Sequence, residues 1–138
     1  MARQLRARIL TPEKVVYEGD VDMVVAPGMD GEIGLMPLHT PLVTPLKTGE
    51  LRVKYGEEQD YIAIEGGYLE IREDICTVLA DDAEIASEID VARAEQLKAE
   101  AEREVAEAER GEGERAYEEA RHHLDWALTQ LRVAGKKA

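Results

Sequence analysis

The sequence predicts a β + α protein: an antiparallel sandwich or barrel of short strands, followed by an antiparallel two-helix hairpin. Three observations carry that expectation. All five Pro and eight of the eleven Gly stand before Ile85. In that same stretch, short runs of Val, Ile, Leu and Tyr recur at near-regular spacing between Gly/Pro turns, the pattern of an all-β domain. Beyond it lie two Ala/Glu/Arg-rich stretches, 92–110 and 114–132, with apolar residues at steps of three and four. The expected division is residues 1–85 for the β part and 86–138 for the helices.

The strands read in order along the chain. Residues 4–10 form a strand closed by Thr11-Pro12, and residues 15–17 begin another. Residues 21–26 run apolar into the turn signal Pro27-Gly28-Met29-Asp30-Gly31. Leu51-Arg52-Val53-Lys54-Tyr55 alternates apolar and polar, as a half-buried strand does. The polar stretch 56–60 reads as a turn, followed by strands at 61–64, 68–71 and 75–80. Strand and helix never alternate, which argues against a nucleotide-binding parallel sheet.

The helices read as clearly. Asp90 is a good N-cap, with Ile89 before it as a staple residue. Ala94, Leu97, Ala101, Val105 and Ala108 share one helical face. Gly111-Glu112-Gly113 breaks the helix, and Tyr117, Ala120, Leu124, Ala127, Leu128 and Leu131 make a second stripe. Gly135 and two lysines follow, placing positive charge where the helix dipole favours it. Ala-rich stripes bury little area, at about 25 cal/mol per Å² of apolar surface. The hairpin is therefore expected to be marginally stable against itself or the β part, and able to extend along a partner.

Composition narrows the function. A formal net charge of −13 argues against nucleic-acid coating and against docking on an anionic membrane surface. A protein partner fits better. The acidity is shared, net −9 over residues 1–85 (8 basic, 17 acidic) and net −4 over 86–138 (9 and 13), so the break concerns structure, not charge. Cys76 is the only cysteine and reads as a small buried hydrophobe in a reducing compartment. The opening residues are polar with three Arg, and no apolar run approaches a membrane span, so the expectation is a soluble, cytoplasmic chain.

Catalytic and metal signatures are missing from the sequence. It carries no GxxxxGK[ST], GxSxG, HExxH or CxxC. His122 and His123 are adjacent on a helix, so they point about 100° apart and cannot grip one metal together. They read as surface or partner-facing residues. Nothing assembles a nucleophile, base and orienter, and the reading is a non-catalytic regulatory subunit that requires no cofactor.

The run Gly31-Glu32-Ile33-Gly34-Leu35-Met36-Pro37-Leu38-His39-Thr40-Pro41-Leu42-Val43-Thr44-Pro45-Leu46 resembles the signature of the epsilon subunit of bacterial rotary ATP synthases. Four further matches keep order and spacing: Leu10-Thr11-Pro12, Ile64-Glu65-Gly66-Gly67-Tyr68-Leu69-Glu70-Ile71, Thr77-Val78-Leu79-Ala80 and Ile89-Asp90-Val91-Ala92-Arg93-Ala94. The resemblance runs from about Leu10 to Leu131. It implies a ten-stranded antiparallel β-sandwich with a C-terminal helical hairpin, set in the central rotor against the gamma subunit and the c ring. The β part would couple rotor to ring. The hairpin would extend beside gamma into the alpha/beta catalytic head and inhibit ATP hydrolysis. The chain would sit at the cytoplasmic face of the cell membrane, held there only by the complex.

Individual residues follow from the same resemblance. Glu32 falls in the turn that faces the c-ring loops in similar proteins, and His39 takes a structural or interface role. Gly31, Gly34, Gly66 and Gly67 read as backbone devices. Some bacterial members bind one regulatory ATP on the folded hairpin, at positions matching Glu84, Ile89, Asp90, Arg93 and Ala94. This chain departs from those members: Glu100, Trp126 and Gln130 stand where they place arginines, which weighs against tight ATP binding. Arg103 and Arg121 would substitute only in a different register. Leu38 replaces the usual Gly, so the turn before His39 is expected to differ locally.

The inhibitory arm would act through Arg115, Arg121, Arg132, Lys136 and Lys137. Glu118, Glu119 and Asp125 dilute that charge and point to weaker inhibition. The competing reading is a stand-alone β-sandwich binding module whose Ala stripes form a dimerising tail.

Overall fold

The computed structural model describes residues 3–113 and 115–136. Ten strands come first: β1 Leu5–Leu10, β2 Val15–Val21, β3 Met23–Gly28, β4 Gly31–Leu35, β5 Leu42–Leu46, β6 Gly49–Tyr55, β7 Glu58–Ile64, β8 Gly67–Arg72, β9 Ile75–Leu79 and β10 Ala83–Ile85. A 3-10 turn, Ala86–Glu88, leads into helix α1, Val91–Glu109, and helix α2, Tyr117–Ala134.

The strands form one sheet in the order β10-β7-β6-β3-β5-β8-β9-β1-β2, with β4 paired to β3 beside that path. β2 lies against β6 and β10, so the sheet curls over and its two ends meet. Inside lies a mainly aliphatic core, including Leu5, Ile9, Leu35, Leu51, Ile62, Ile64, Leu69 and Ile71. Alternation places these side chains inward; β6 buries Leu51 and Val53 and turns Arg52 and Lys54 outward. Cys76 is part of this core, and burial pushes its thiol up to about 12.

Every pairing is antiparallel except β1 with β9, which run parallel. A hairpin forces its two strands to oppose each other, as β1–β2 and β8–β9 do. β1 and β9 are joined only through the rest of the domain, so their relative direction is unconstrained by a turn.

Three strands went unread from periodicity: β4, β5 and β10. Each is short, and β4 and β5 contain Gly or Pro that mask a strand pattern. Pro45 is tolerated in β5 because β5 meets β3 only at Gly28↔Leu46, leaving most of that edge without a ladder. The polar segment 56–60 is mostly strand; Tyr55 pairs with Glu58, and only Gly56-Glu57 turn. Asp60 accepts the Tyr55 hydroxyl at 2.9 Å, a bond that raises the phenol to about 12. Gly67 is indispensable: its φ is +125°, and a Cβ would run into the Leu79 carbonyl oxygen.

In the helices, Asp90 caps α1 as expected, its Oδ1 accepting the Arg93 N–H at 3.1 Å. Ala101 and Val105 of α1 pack on Ala120 and Leu124 of α2. That seam uses the Ala stripes within one chain, which removes the surface the dimerising-tail reading needs. Of the eight residues α2 buries, the predicted stripe supplies three, Ala120, Leu124 and Ala127. Tyr117 and Leu128 are exposed, while Trp126, Gln130, Val133 and Ala134 are buried. Trp126, Val133 and Ala134 join Ala63, Ala86 and Ile89 in a separate cluster beneath the helix. A helix held between two partners needs two apolar faces, and the periodicity showed the stronger one.

Candidate functional site

Three places hold the residues singled out from the sequence. The first is a cavity of about 270 Å³ between the β domain and the hairpin, lined by Lys14, Asp82, Glu84, Asp90, Arg93, Trp126 and Gln130, among others. The β10 strand delivers Glu84, the cap of α1 delivers Asp90 and Arg93, and the second face of α2 delivers Trp126 and Gln130. Ile89 and Ala94 do not face it as ligands; both are buried, Ile89 packing in the cluster with Trp126. Gln130 donates its Nε2 to Glu84, while its Oε1 is buried and has no partner among the described residues.

The charge of this cavity is mixed, with Asp82, Glu84 and Asp90 set against Lys14 and Arg93. Arg103 and Arg121 do not reach it. Arg103 pairs with Glu107 at 3.7 Å and Arg121 with Asp125 at 3.8 Å. Glu100 lines a different, smaller cavity of about 140 Å³ with Glu65, Glu104, His123 and Trp126. Lys14 and Asp82 escaped the sequence reading because they come from turns far from the helix motif, and no local pattern marks them.

The second place is the signature loop. Glu32 opens β4 opposite Pro27, largely exposed, with Arg52 at 3.4 Å. His39 follows the other end of β4, its Nδ1 2.6 Å from the Thr40 carbonyl oxygen. β4 therefore separates the two residues. Leu38 keeps the left-handed turn with φ +68°, although it has a side chain. Such a backbone costs a non-glycine residue about 1–2 kcal/mol. Asp74 holds it: its Oδ1 accepts the Leu38 N–H at 2.7 Å, and Arg3 binds the other oxygen. The Leu38 amide and then Arg3 hold the Asp74 carboxyl below its usual range. Leu38 thus adopts a backbone conformation that glycine takes at no steric cost. Met36 and Leu38 stand exposed at its tip.

Gly31, Gly66 and Gly67 all have positive φ, whereas Gly34 does not. The third place is the arm. Arg115 pairs with Glu104 on α1 and with Glu119 at 2.6 Å. Lys136 reaches the β domain, 2.6 Å from Glu50 Oε1 and 5.4 Å over the Tyr61 ring. Arg132 is exposed in the last turn of α2. Lys137 lies outside the described residues. No helix among the described residues is long and apolar enough to cross a membrane.

Comparison with known proteins agrees with both halves of this architecture. Residues 4–86 match the family model of the ATP synthase delta/epsilon chain β-sandwich domain, and residues 87–135 match that of its long α-helix domain. An ATP synthase epsilon chain of Desulforamulus reducens is 51% identical over 98 residues, covering 71% of this chain and 74% of that one. That of Brevibacillus brevis is 48% identical over 93 residues, covering 67% and 70%. Among solved structures, a chain of the Euglena gracilis mitochondrial ATP synthase superposes with a TM-score of 0.76 at 21% identity, over 95% of this chain and 81% of that one. With both domains matched in order and the sandwich-plus-hairpin fold in place, the chain belongs to the delta/epsilon chain family of ATP synthases, on the epsilon side.

Proposed function

We propose that the chain is a non-catalytic central-stalk subunit of a proton-translocating ATP synthase, with residues 1–85 coupling gamma to the c ring and residues 86–138 regulating hydrolysis. It sits at the cytoplasmic face of the membrane, held there by the complex. The observation that carries this reading is the division of labour between a rigid sandwich and an arm with a thin seam. Glu32 and the Met36–His39 loop supply the ring-facing end, stiffened by Asp74. The arm supplies Arg115, Arg121 and Arg132 for the alpha/beta head. Arg115 and Arg121 are tied to acidic neighbours here, so the docked arm is the non-inhibitory form. Deleting residues 86–138 and assaying hydrolysis by the reconstituted catalytic head tests the regulatory half. A rise in activity supports it, and an unchanged rate removes it.

The cavity at Glu84, Asp90 and Arg93 supports a second role, as a sensor of adenine nucleotide. The buried, unpartnered Gln130 Oε1 favours it, because an acceptor in such a place suits an exocyclic amine. Two cations against three carboxylates hold the nucleoside end better than a triphosphate. Calorimetry with ATP and adenosine, comparing the chain with Gln130→Met, gives the answer. Binding weakened about tenfold in the variant fits loss of one buried hydrogen bond. No heat from either ligand at millimolar concentration ends the proposal.

A further inference from the structure

The adjacent histidines have no part in the functions above, yet they face different elements. His122 Nε2 lies 3.0 Å from Glu65 Oε2, in the β7–β8 loop of the β domain. His123 turns towards α1, with Nδ1 3.7 Å from Glu104 Oε1. That is the divergence expected of neighbours on a helix. Their surroundings also differ. Arg115 Nη1 stands 3.5 Å from His123 Nε2.

Around His122 the described charges are nearly all acidic. From the β domain come Glu65 and, beside it, Asp81 and Asp82. The small cavity that Glu65 shares with Glu100 and Glu104 of α1 is lined by His123, not His122. On α2 itself, Glu118, Glu119 and Asp125 are within a turn. The cations nearby are engaged elsewhere, Arg115 with Glu104 and Glu119, and Arg121 with Asp125.

We propose that His122 and Glu65 form a proton-read clasp that tightens the arm on the β domain in acid and loosens it as pH rises through the imidazole range. Among the described residues the arm meets the β domain through two further side-chain polar contacts, Gln130 with Glu84 and Lys136 with Glu50. Neither an amide nor an ammonium changes charge between pH 5 and 8, whereas imidazole does. The pH response of docking in that window is thereby concentrated at His122.

Undocking separates the His122 ring from the Glu65 carboxylate, so a charged ring favours the docked arm and a neutral ring does not. Burial, followed by the acidic neighbours Asp82 and Asp81, raises the Glu65 carboxyl against the opposing pull of His122. The carboxylate half of the pair is itself lost only as pH falls on into the carboxyl range, below the imidazole window.

The clasp stands on its own geometry; its consequence for hydrolysis rests on the arm reading above. In the complex, acid would hold the arm down and alkali would free it to extend. The test uses the full chain. Hydrogen exchange of α2 amides is measured at pH 6.0 and 8.5, each corrected for intrinsic rate and referenced to β8 amides. Protection should be about threefold higher at pH 6.0, the scale of one partly exposed ion pair. His122→Gln and Glu65→Gln should flatten that difference, and His123→Gln should keep it. His122→Lys, which stays charged, should hold the acid level of protection at both pH values.

A flat wild-type profile, or a pH response that survives in His122→Gln, overturns the clasp. A clear exchange response with pH-independent arm inhibition in the reconstituted head keeps the clasp and removes the arm reading.

Discussion

The β domain and the helical arm solve the same packing problem with different side chains. The sandwich buries Leu, Ile and Val almost completely, with Leu51, Ile62, Ile64 and Leu69 at 0% exposure. The hairpin seam is Ala101, Val105, Ala120 and Leu124, half of it Ala. A buried Leu or Ile contributes about 1.5–3 kcal/mol, while each CH₂ group is worth about 0.8. The first region is therefore held by large aliphatic contacts. The second is attached to it through a cluster that contains Trp126 and through three side chains reaching Glu50, Glu65 and Glu84.

The widest separation between the regions should appear on cutting into the sandwich. Leu51→Ala leaves a cavity in the main core and is expected to cost about 3–4 kcal/mol, read from the guanidinium midpoint by circular dichroism. Arm helicity should be lost in the same transition, since short isolated helices are marginal. An arm that stays helical after the sandwich melts would break the comparison.

A smaller effect is expected from Trp126→Ala. It should remove about 2–3 kcal/mol of docking, sending α2 amides into fast exchange while the sandwich transition stays in place. A matching fall in sandwich stability would mean the arm is part of the core, not an attachment to it.

The smallest sharpens the view of the sandwich itself, where Leu38, like Glu73 and Asp74, is a non-glycine residue with positive φ. Leu38→Gly relieves the left-handed backbone but adds chain entropy to the unfolded state, for a net gain of about 0.5 kcal/mol in chemical denaturation. Asp74→Ala should speed amide exchange across 36–40, and the double variant with Leu38→Gly should restore it. Because the Asp74 carboxyl is held below its usual range, this strut is fully present above the ordinary aspartate value of 3.8. It is lost as pH falls through the depressed one. No rescue in the double variant would assign the strain elsewhere.

The strands with clean alternation, such as Leu51-Arg52-Val53-Lys54-Tyr55, were legible because side-chain period is a local property. β5 was not, because Pro45 signals against a strand and only the open edge beside β3 permits it. Asp90 was legible as a cap, since a capping oxygen and its N–H lie within one turn of chain. Of the residues singled out, Glu84, Asp90 and Arg93 line one cavity, while Ile89 and Ala94 are buried in packing. The difference lies in which way each helix face turns, and that depends on what the helix is laid against.

By itself the sequence determined the order of sheet and helices, the type of most elements, the α1 cap and part of the inward stripe of each helix. Each follows from periodicity or from spacing within a few residues. Tertiary structure alone decided the parallel β1–β9 pair, the second buried face of α2, the cavity where Lys14 meets Gln130, and the partner of His122. These join residues far apart in the chain, and local propensity carries no information about distant charge or shape until the core has closed and fixed their positions.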